Sequence, residues 1–306
     1  MAEAVSPLRY PGGKQILARV LGHLIRMNGR EGGIYVEPYA GGAGAAFSLL
    51  FGEYVKQIFI NDADSRIFAF WDSVVHQTGK FLKLLFETSL SVEEWKRQRE
   101  IYSKPGRHSR VRVGFAAFYL NRCNRSGIIV NAGLIGGKSQ TGKWKMDARF
   151  NRTDLAARIE KIARYKERIS IFNLDATEFL RTKLPNPSVV DRAFVYLDPP
   201  YYAKSNQLYL NHYTPEDHSA FAKYLLRARF KWVMSYDNVP EIQKLYSTYR
   251  RVPFNLGYSA RECKLGKEIL ILPPHIHFPR AWLRGIPDQF ISAATIIAGR
   301  IPLPTR

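Results

Sequence analysis

The chain is predicted to be an α/β protein, with a seven-stranded, mostly parallel sheet covered by helices on both faces and a basic helical insertion. Three observations lead there. Seven short apolar segments suit strands: IYVE (34–37), IFIN (58–61), ISIF (169–172), FVYL (194–197), WVMS (232–235), YRRVPF (249–254) and EILIL (268–272). Most are separated by stretches of helical spacing. One of them, DHSAFAKYLLRA (217–228), places Phe221, Tyr224, Leu225 and Ala228 on one face. Strand–helix alternation of this kind builds a parallel sheet, because each crossover returns the chain to the same sheet end. The last two strands are joined only by GYSARECKLGK (257–267), which predicts an antiparallel hairpin at one sheet edge.

The alternation breaks between residues 73 and 165. FLKLLFETSLSVEEWKRQREIY and VGFAAFYLNRC are helix-like, with the basic loop SKPGRHSRVR between them. RSGIIVNAGLIGGKSQTGKWKMDARFN follows, dense in Gly, Asn, Lys and Arg. The simplest organisation is a discontinuous sheet domain, 1–72 plus 166–272, with an insertion over 73–165 and a Pro-rich extension over 273–306. Net charge is +20 over 306 residues, and it is unevenly spread. Residues 1–72 hold 7 basic and 7 acidic side chains, whereas residues 91–170 hold 19 basic and 7 acidic. A field concentrated in about a quarter of the chain attracts polyanions, nucleic acid above all.

Other classes are disfavoured. No apolar run approaches the ~18 residues of a membrane span, and MAEAVSPLRYPGGK carries no apolar signal segment. Cys123 and Cys263 show no metal spacing and fit a reducing compartment. The seven histidines form no HxxxH pattern, so no metal is expected, and no GxSxG elbow marks a serine hydrolase. The expectation is a cytoplasmic protein.

The candidate site residues lie in order along the chain. LRYPGGKQIL (8–17) turns at Pro11, Gly12 and Gly13, and presents Tyr10 and Lys14 from a fixed loop. The first strand runs into EPYAGGAG, where Gly41, Gly42 and Gly44 permit a tight turn and close ligand approach before a helix. Asp62 ends the next strand, 20 positions after Gly42, where a carboxylate can bond ribose hydroxyls; a helix N-cap is the plainer alternative. Asp175 follows the third strand in NLDA, and Asp198 ends the fourth in VYLDPPYY. Four successive strands therefore end in Glu37, Asp62, Asp175 and Asp198. Mutual repulsion makes such an edge hard to explain by structure alone, and a nucleoside or cationic ligand explains it readily.

PLRYPGGK, VEPYAGGAG, NDAD, NLDA and LDPPYY, in that order, resemble the Dam-like DNA adenine-N6 methyltransferases over most of residues 6–272. The resemblance implies a Rossmann-like methyltransferase sheet, S-adenosylmethionine as cofactor, and site-specific methylation of adenine N6 in double-stranded DNA. It places Tyr10, Gly12, Gly13 and Lys14 against the cofactor. Glu37, Pro38, Tyr39, Gly41 and Gly42 would hold its methionine end, Asp62 its ribose, and Asp175 its adenine. Asp198, Pro199, Pro200 and Tyr201 would form the catalytic tetrad, with Asp198 also at the cofactor. A monomer in a prokaryotic or phage-infected cell, partnered by a cognate restriction endonuclease, goes with such an enzyme.

The chemistry agrees with that resemblance. Adenine N6 is a poor nucleophile because its lone pair is delocalised into the ring. A carboxylate and a stiffly held carbonyl, Asp198 and Pro199, can accept both amino hydrogens and direct the lone pair. Tyr201 can stack on the base, and the base must leave the duplex. Candidate nucleic-acid contacts in the insertion are Arg122, Asn124, Arg125, Asn131, Lys138, Gln140, Lys143 and Lys145. An RNA adenine methyltransferase, a protein glutamine methyltransferase (which would carry NPPY) and a non-catalytic nucleic-acid-binding module are the competing readings.

Overall fold

A computed structural model describes residues 4–9, 13–202, 213–257, 265–287 and 290. Its sheet has seven strands in the order β3-β2-β1-β4-β5-β7-β6. They are β1 (Ile34–Glu37), β2 (Gln57–Asn61), β3 (Ile169–Phe172), β4 (Ala193–Leu197), β5 (Lys231–Asp237), β6 (Arg250–Gly257) and β7 (Leu265–Leu272). β3, β2, β1, β4 and β5 pair in parallel. β7 runs antiparallel between β5 and β6, so the expected hairpin forms the sheet edge. All seven predicted segments are strands, and the chain belongs to the α/β class.

The helices in chain order are α1 (Ala18–Met27), α2 (Gly44–Phe51), α3 (Ser65–His76), α4 (Thr78–Glu87), α5 (Val92–Ser103) and α6 (Arg110–Cys123). Then come α7 (Arg152–Ala163), α8 (Ala176–Lys183), α9 (Pro187–Val190), α10 (Pro215–Leu225) and α11 (Pro240–Leu245). Their starts carry local signals. Asp64, Ser91, Asn151 and Asp175 each cap a first turn by accepting from its backbone N–H groups. Thr214 and Asp217 close a reciprocal capping box with Pro215 in the first turn of α10. The stretch predicted as helix-like over 81–102 is two helices, α4 and α5, because Ser91 starts a new one.

Side-chain alternation divides the sheet between two cores. Tyr35, Ile58, Ile60, Phe194, Tyr196, Val233, Leu270 and Leu272 face the cluster built with α1 to α7. Ile34, Val36, Val195, Leu197, Trp232, Met234, Tyr236, Ile269 and Ile271 face the cluster with α8, α10 and α11. The helices between β2 and β3 thus share one apolar core with the sheet. The extension after β7 adds Ile276, Phe278, Trp282 and Ile286 to that core, and Trp282 lies 5.1 Å from the His23 ring on α1. Among the described residues no helix is long and apolar enough to cross a membrane.

α3 and α6 cross closely, with Phe70 and Phe118 stacked at 5.9 Å. Gly114 allows this, since a Cβ there would meet the backbone of Ala69 and Phe70, which cannot yield like a flexible side chain. Gly114→Ala is therefore expected to cost about 1–3 kcal/mol of stability by overpacking. Urea unfolding checks it, with a lowered midpoint and an unchanged m-value.

Candidate active site

Because alternate residues share a face, Glu37, Asp198, Ser235 and Glu268 come to one end of the sheet on the side of Tyr35, Tyr196, Val233 and Leu270. The short helical turn Lys14–Leu17 delivers a cation to them. Lys14 Nζ lies 3.1 Å from Asp198 Oδ1, 3.8 Å from Glu268 Oε2 and 2.7 Å from the Tyr201 hydroxyl, to which it donates. Its side chain is only 7% exposed, and that of Glu268 2%. Ser235 Oγ donates to Asp198 Oδ1 at 2.8 Å, and Tyr196 OH lies 2.7 Å from Ser235 Oγ. Pro199 and Pro200 are buried, while Tyr201 keeps part of its surface in solvent. The Tyr202 N–H donates to Asp237 Oδ1 at 3.0 Å, which anchors the chain just past the prolines.

Glu37 is buried, and Tyr35 OH donates to its Oε1 at 3.4 Å. Its Oε2 has no hydrogen-bond partner among the described residues. Burial, then the Asp198 charge, push its carboxyl well above the usual carboxylate range; the Tyr35 bond and Lys14 pull it part of the way back.

The EPYAGG turn is fixed from three sides. Gly41 and Ala43 take left-handed backbone at φ 45° and 46°. Trp71 Nε1 donates to the Gly41 carbonyl at 2.9 Å, and the Gly41 N–H donates to Asp62 Oδ2 at 2.9 Å. Asn61 gives one amide to two carbonyls, Pro38 and Leu174, at 3.0 Å each. Pro38 and Gly42 are buried in this turn, and the Tyr39 hydroxyl pairs with that of Tyr213 at 2.7 Å. Asp62 also accepts from the Asp64 N–H at 2.9 Å, and enclosure pushes its carboxyl up to about 7. The helix-cap alternative for Asp62 falls to Asp64 instead, which accepts from the Arg66 N–H at 2.9 Å. Asp175 is exposed and caps α8, accepting from Thr177 and Glu178 N–H groups. Two of the four strand-end carboxylates thus hold local backbone, which lowers the mutual repulsion expected of a bare acidic edge.

Tyr10 and Gly12 lie outside the described residues, and Gly13 directly precedes the Lys14 turn. The structure brings Lys14, Glu37, Asp198 and Tyr201 together. It also adds Ser235, Tyr196 and Glu268, which no motif marked; only their shared strand parity with Asp198 could have found them.

A family profile described as D12 class N6 adenine-specific DNA methyltransferase matches residues 10–258, from the Lys14 turn through β6. The chain belongs to this family. Comparison with curated proteins gives no match. Adenine in DNA is accordingly the substrate class of this methyltransferase, and the sheet is the Rossmann-like one of the resemblance.

The eight insertion candidates separate by burial. Asn124 is enclosed: it accepts from Trp95 Nε1 at 2.8 Å and donates to the Ile128 and Ile129 carbonyls, holding the loop from inside. Arg122 is also buried, and its guanidinium is pushed down to about 9 by burial, with Arg158 and Arg9 adding. Gln140 is half-buried and spends its amide on Ile135, Gly137 and Met146 backbone. Arg125, Asn131, Lys138, Lys143 and Lys145 are exposed, as is Trp144, which no sequence motif singles out. Among the described residues no group of His, Cys, Asp and Glu side chains is arranged to hold a metal ion.

The Asp62 carboxyl titrates at about 7 in the folded chain and at about 4 when unfolded. Folding takes up a proton between these limits, so this group makes stability fall as pH rises from about 4 to 7 and then level off. Asp62→Asn removes that part of the profile. Urea midpoints across this range should show the wild type losing stability relative to the variant as pH rises.

Proposed function

We propose that the protein transfers the methyl group of S-adenosylmethionine to the exocyclic N6 of an adenine flipped out of double-stranded DNA at one short sequence. The observation that carries this reading is the strand-end cluster, where Asp198 leads into two buried prolines and Tyr201 beside a buried lysine. The buried Glu37 Oε2, without a partner among the described residues, suits a hydrogen-bond donor on a bound ligand. Asp198 and Glu268 lie 3.1 Å and 3.8 Å from the Lys14 ammonium, so this strand edge already accommodates a cationic group. These features fit S-adenosylmethionine. It supplies an activated methyl on a sulfonium, so no metal or covalent enzyme intermediate is required.

In this reading Glu37 and the turn from Pro38 to Gly42 hold the methionine end, with Gly13 and Lys14 alongside. Asp62 takes the ribose hydroxyls and Asp175 lies by the adenine ring. Asp198 accepts one amino hydrogen of the target base and the Pro199 carbonyl accepts the other, which turns the N6 lone pair toward the methyl group. The prolines hold that carbonyl without a reorganisation cost at the moment of reaction. Tyr201 stacks on the flipped base, a contact worth about 1–3 kcal/mol against an unstacking cost of a few kcal/mol.

Residues 73–165 are assigned to target recognition. Leu134, Met146 and Phe150 are buried anchors that pin the loop after α6, and its outer face carries Lys138, Lys143, Trp144 and Lys145. Phosphate contacts there offset part of the flipping cost, and the Arg, Asn and Lys side chains can read base edges. A monomer acting on each strand in turn, partnered by a restriction endonuclease in a prokaryotic or phage-infected cell, is the proposed setting.

Asp198→Ala is expected to bind cofactor but not transfer methyl. Labelled S-adenosylmethionine, plasmid from a methylation-deficient host and single-molecule sequencing test this. Wild type should place N6-methyladenine in one short context and the variant none. Equal methylation by the variant removes Asp198 from the chemistry, and label in RNA alone changes the substrate.

Replacing Lys138, Lys143 and Lys145 together by alanine should weaken DNA binding across sequences. The slope of log K against log salt should become shallower by about 0.9 for each phosphate that the variant leaves unneutralised. Fluorescence anisotropy over a salt series measures it.

A further inference from the structure

The two carboxylate oxygens of Asp198 have different surroundings. Oδ1 accepts from Ser235 Oγ at 2.8 Å and lies 3.1 Å from Lys14 Nζ. No hydrogen bond to Oδ2 is found among the described residues, and the side chain as a whole is 21% exposed. Ser235 is fully buried in β5, opposite Leu270 of β7. A serine hydroxyl has one proton to give, and a carboxylate oxygen can only accept it. In the 2.7 Å pair between Tyr196 and Ser235, Tyr196 must therefore be the donor. Tyr196 is itself fully buried, and burial followed by the Asp198 charge keeps its hydroxyl protonated.

The result is a directed relay, from Tyr196 O–H to Ser235 O–H to Asp198 Oδ1, with Lys14 approaching the same oxygen from the N-terminal segment. Accepting from Tyr196 locks the serine rotor. Turning the carboxylate away from this orientation, short of the half-turn that merely exchanges its two equivalent oxygens, would break the Ser235 bond and the Lys14 contact at once. A buried serine that only needed satisfaction could bond a nearby backbone carbonyl. Ser235 instead uses its proton on the one carboxylate that directly precedes the prolines.

We propose that Ser235 is a positioning residue for methyl transfer: with Tyr196 behind it and Lys14 beside it, it fixes Asp198 Oδ1 so that Oδ2 is the oxygen presented to the amino group of the target adenine. The proposal rests on the reading that Asp198 accepts that amino group. Bond making and breaking are unchanged by Ser235, which forms no contact with the reacting atoms. Its contribution is the angle at which Oδ2 meets an amino hydrogen, and a small misplacement of a reacting group lowers a rate steeply.

Four variants of the full chain test it: Ser235→Ala, Ser235→Thr, Tyr196→Phe and Asp198→Ala. The readouts are single-turnover methylation of unmethylated plasmid DNA, DNA affinity, calorimetric affinity for S-adenosylhomocysteine, and the thermal midpoint. Ser235→Ala should lower the single-turnover rate by about 10- to 100-fold, with both affinities held within about twofold. Tyr196→Phe, which removes only the hydroxyl, should lower the rate less and in the same direction. Ser235→Thr, which restores the hydroxyl, should recover most of the loss. A wild-type rate in Ser235→Ala and Tyr196→Phe, beside an inactive Asp198→Ala, overturns the role of Ser235 and leaves Asp198 in place. A lowered thermal midpoint with an unchanged rate does the same. Full activity in Asp198→Ala overturns the underlying reading itself. If Ser235→Ala fails to fold, Tyr196→Phe decides between these outcomes.

Discussion

The Lys14 ammonium, buried between Asp198 and Glu268 at the sheet end, is the contact on which the rest of the site depends. Taking an ammonium out of water costs several kcal/mol unless opposite charge and hydrogen bonds replace the solvent. Here both are present, since Lys14 also donates to the Tyr201 hydroxyl. The compensation runs both ways. Lys14 in turn sets a positive charge beside Asp198 and Glu268, and it pulls the Glu37 carboxyl part of the way back from its protonated form. The turn that carries Lys14 therefore meets the acidic ends of β4 and β7, although it lies far from both in the chain.

Geometry explains why those particular side chains meet. A strand sends alternate residues to opposite faces, and parallel neighbours in register keep the parity aligned. Leu197 pairs with Met234, so Asp198 and Ser235 come next to one another. Asp237 pairs with Glu268 across β5 and β7, which carries the same face to the antiparallel edge. A one-residue slip in any of these strands would turn its polar residue into the opposite core and bury an unpaired carboxylate or hydroxyl there. The apolar pattern that divides the two cores therefore also specifies the site.

Much of this was legible from the residues. The seven apolar runs are the seven strands, and the order of the short motifs pointed to the family that the profile match establishes. Strand ends are legible because proline and glycine act locally: Pro199 stops β4, and the Gly41 turn follows β1. The insertion was less legible. Composition marks Arg122 and Asn124 as polar and basic, yet both face inward, because α6 is packed on nearly all sides and its last turn is covered by the loop it launches. Exposure of Trp144 is the converse case, an aromatic that its loop leaves outside while Met146, two residues on, is an anchor. Neither outcome follows from residue type, since each depends on how the loop folds back.

The least legible features are three buried asparagines that pair with backbone as a neighbouring strand would. Asn28 bonds both the N–H and the carbonyl of His277, 249 residues away, and so docks the extension after β7 onto α1. Asn61 takes the Leu174 N–H and gives to the Leu174 and Pro38 carbonyls, joining the turns after β3 and β1. Asn121 accepts from the Arg9 N–H and donates to the Arg9 and Gly127 carbonyls. Each is a side chain whose donors and acceptor match one peptide unit, so each replaces the ladder bonds that an irregular segment cannot make with a sheet. Asn121 has the widest reach of the three. It joins the segment that leads to Lys14 to the start of the loop that carries Lys138, Lys143 and Lys145. Gly127 packs so tightly on Arg9 that a Cβ would strike the Arg9 carbonyl, so the loop and the segment cannot shift independently at that point. Lys14 in turn stands on the same oxygen of Asp198 that Ser235 holds. The basic loop is thus tied to Arg9 and the strand-end carboxylate to Lys14, five residues on, by contacts that span more than a hundred residues of sequence.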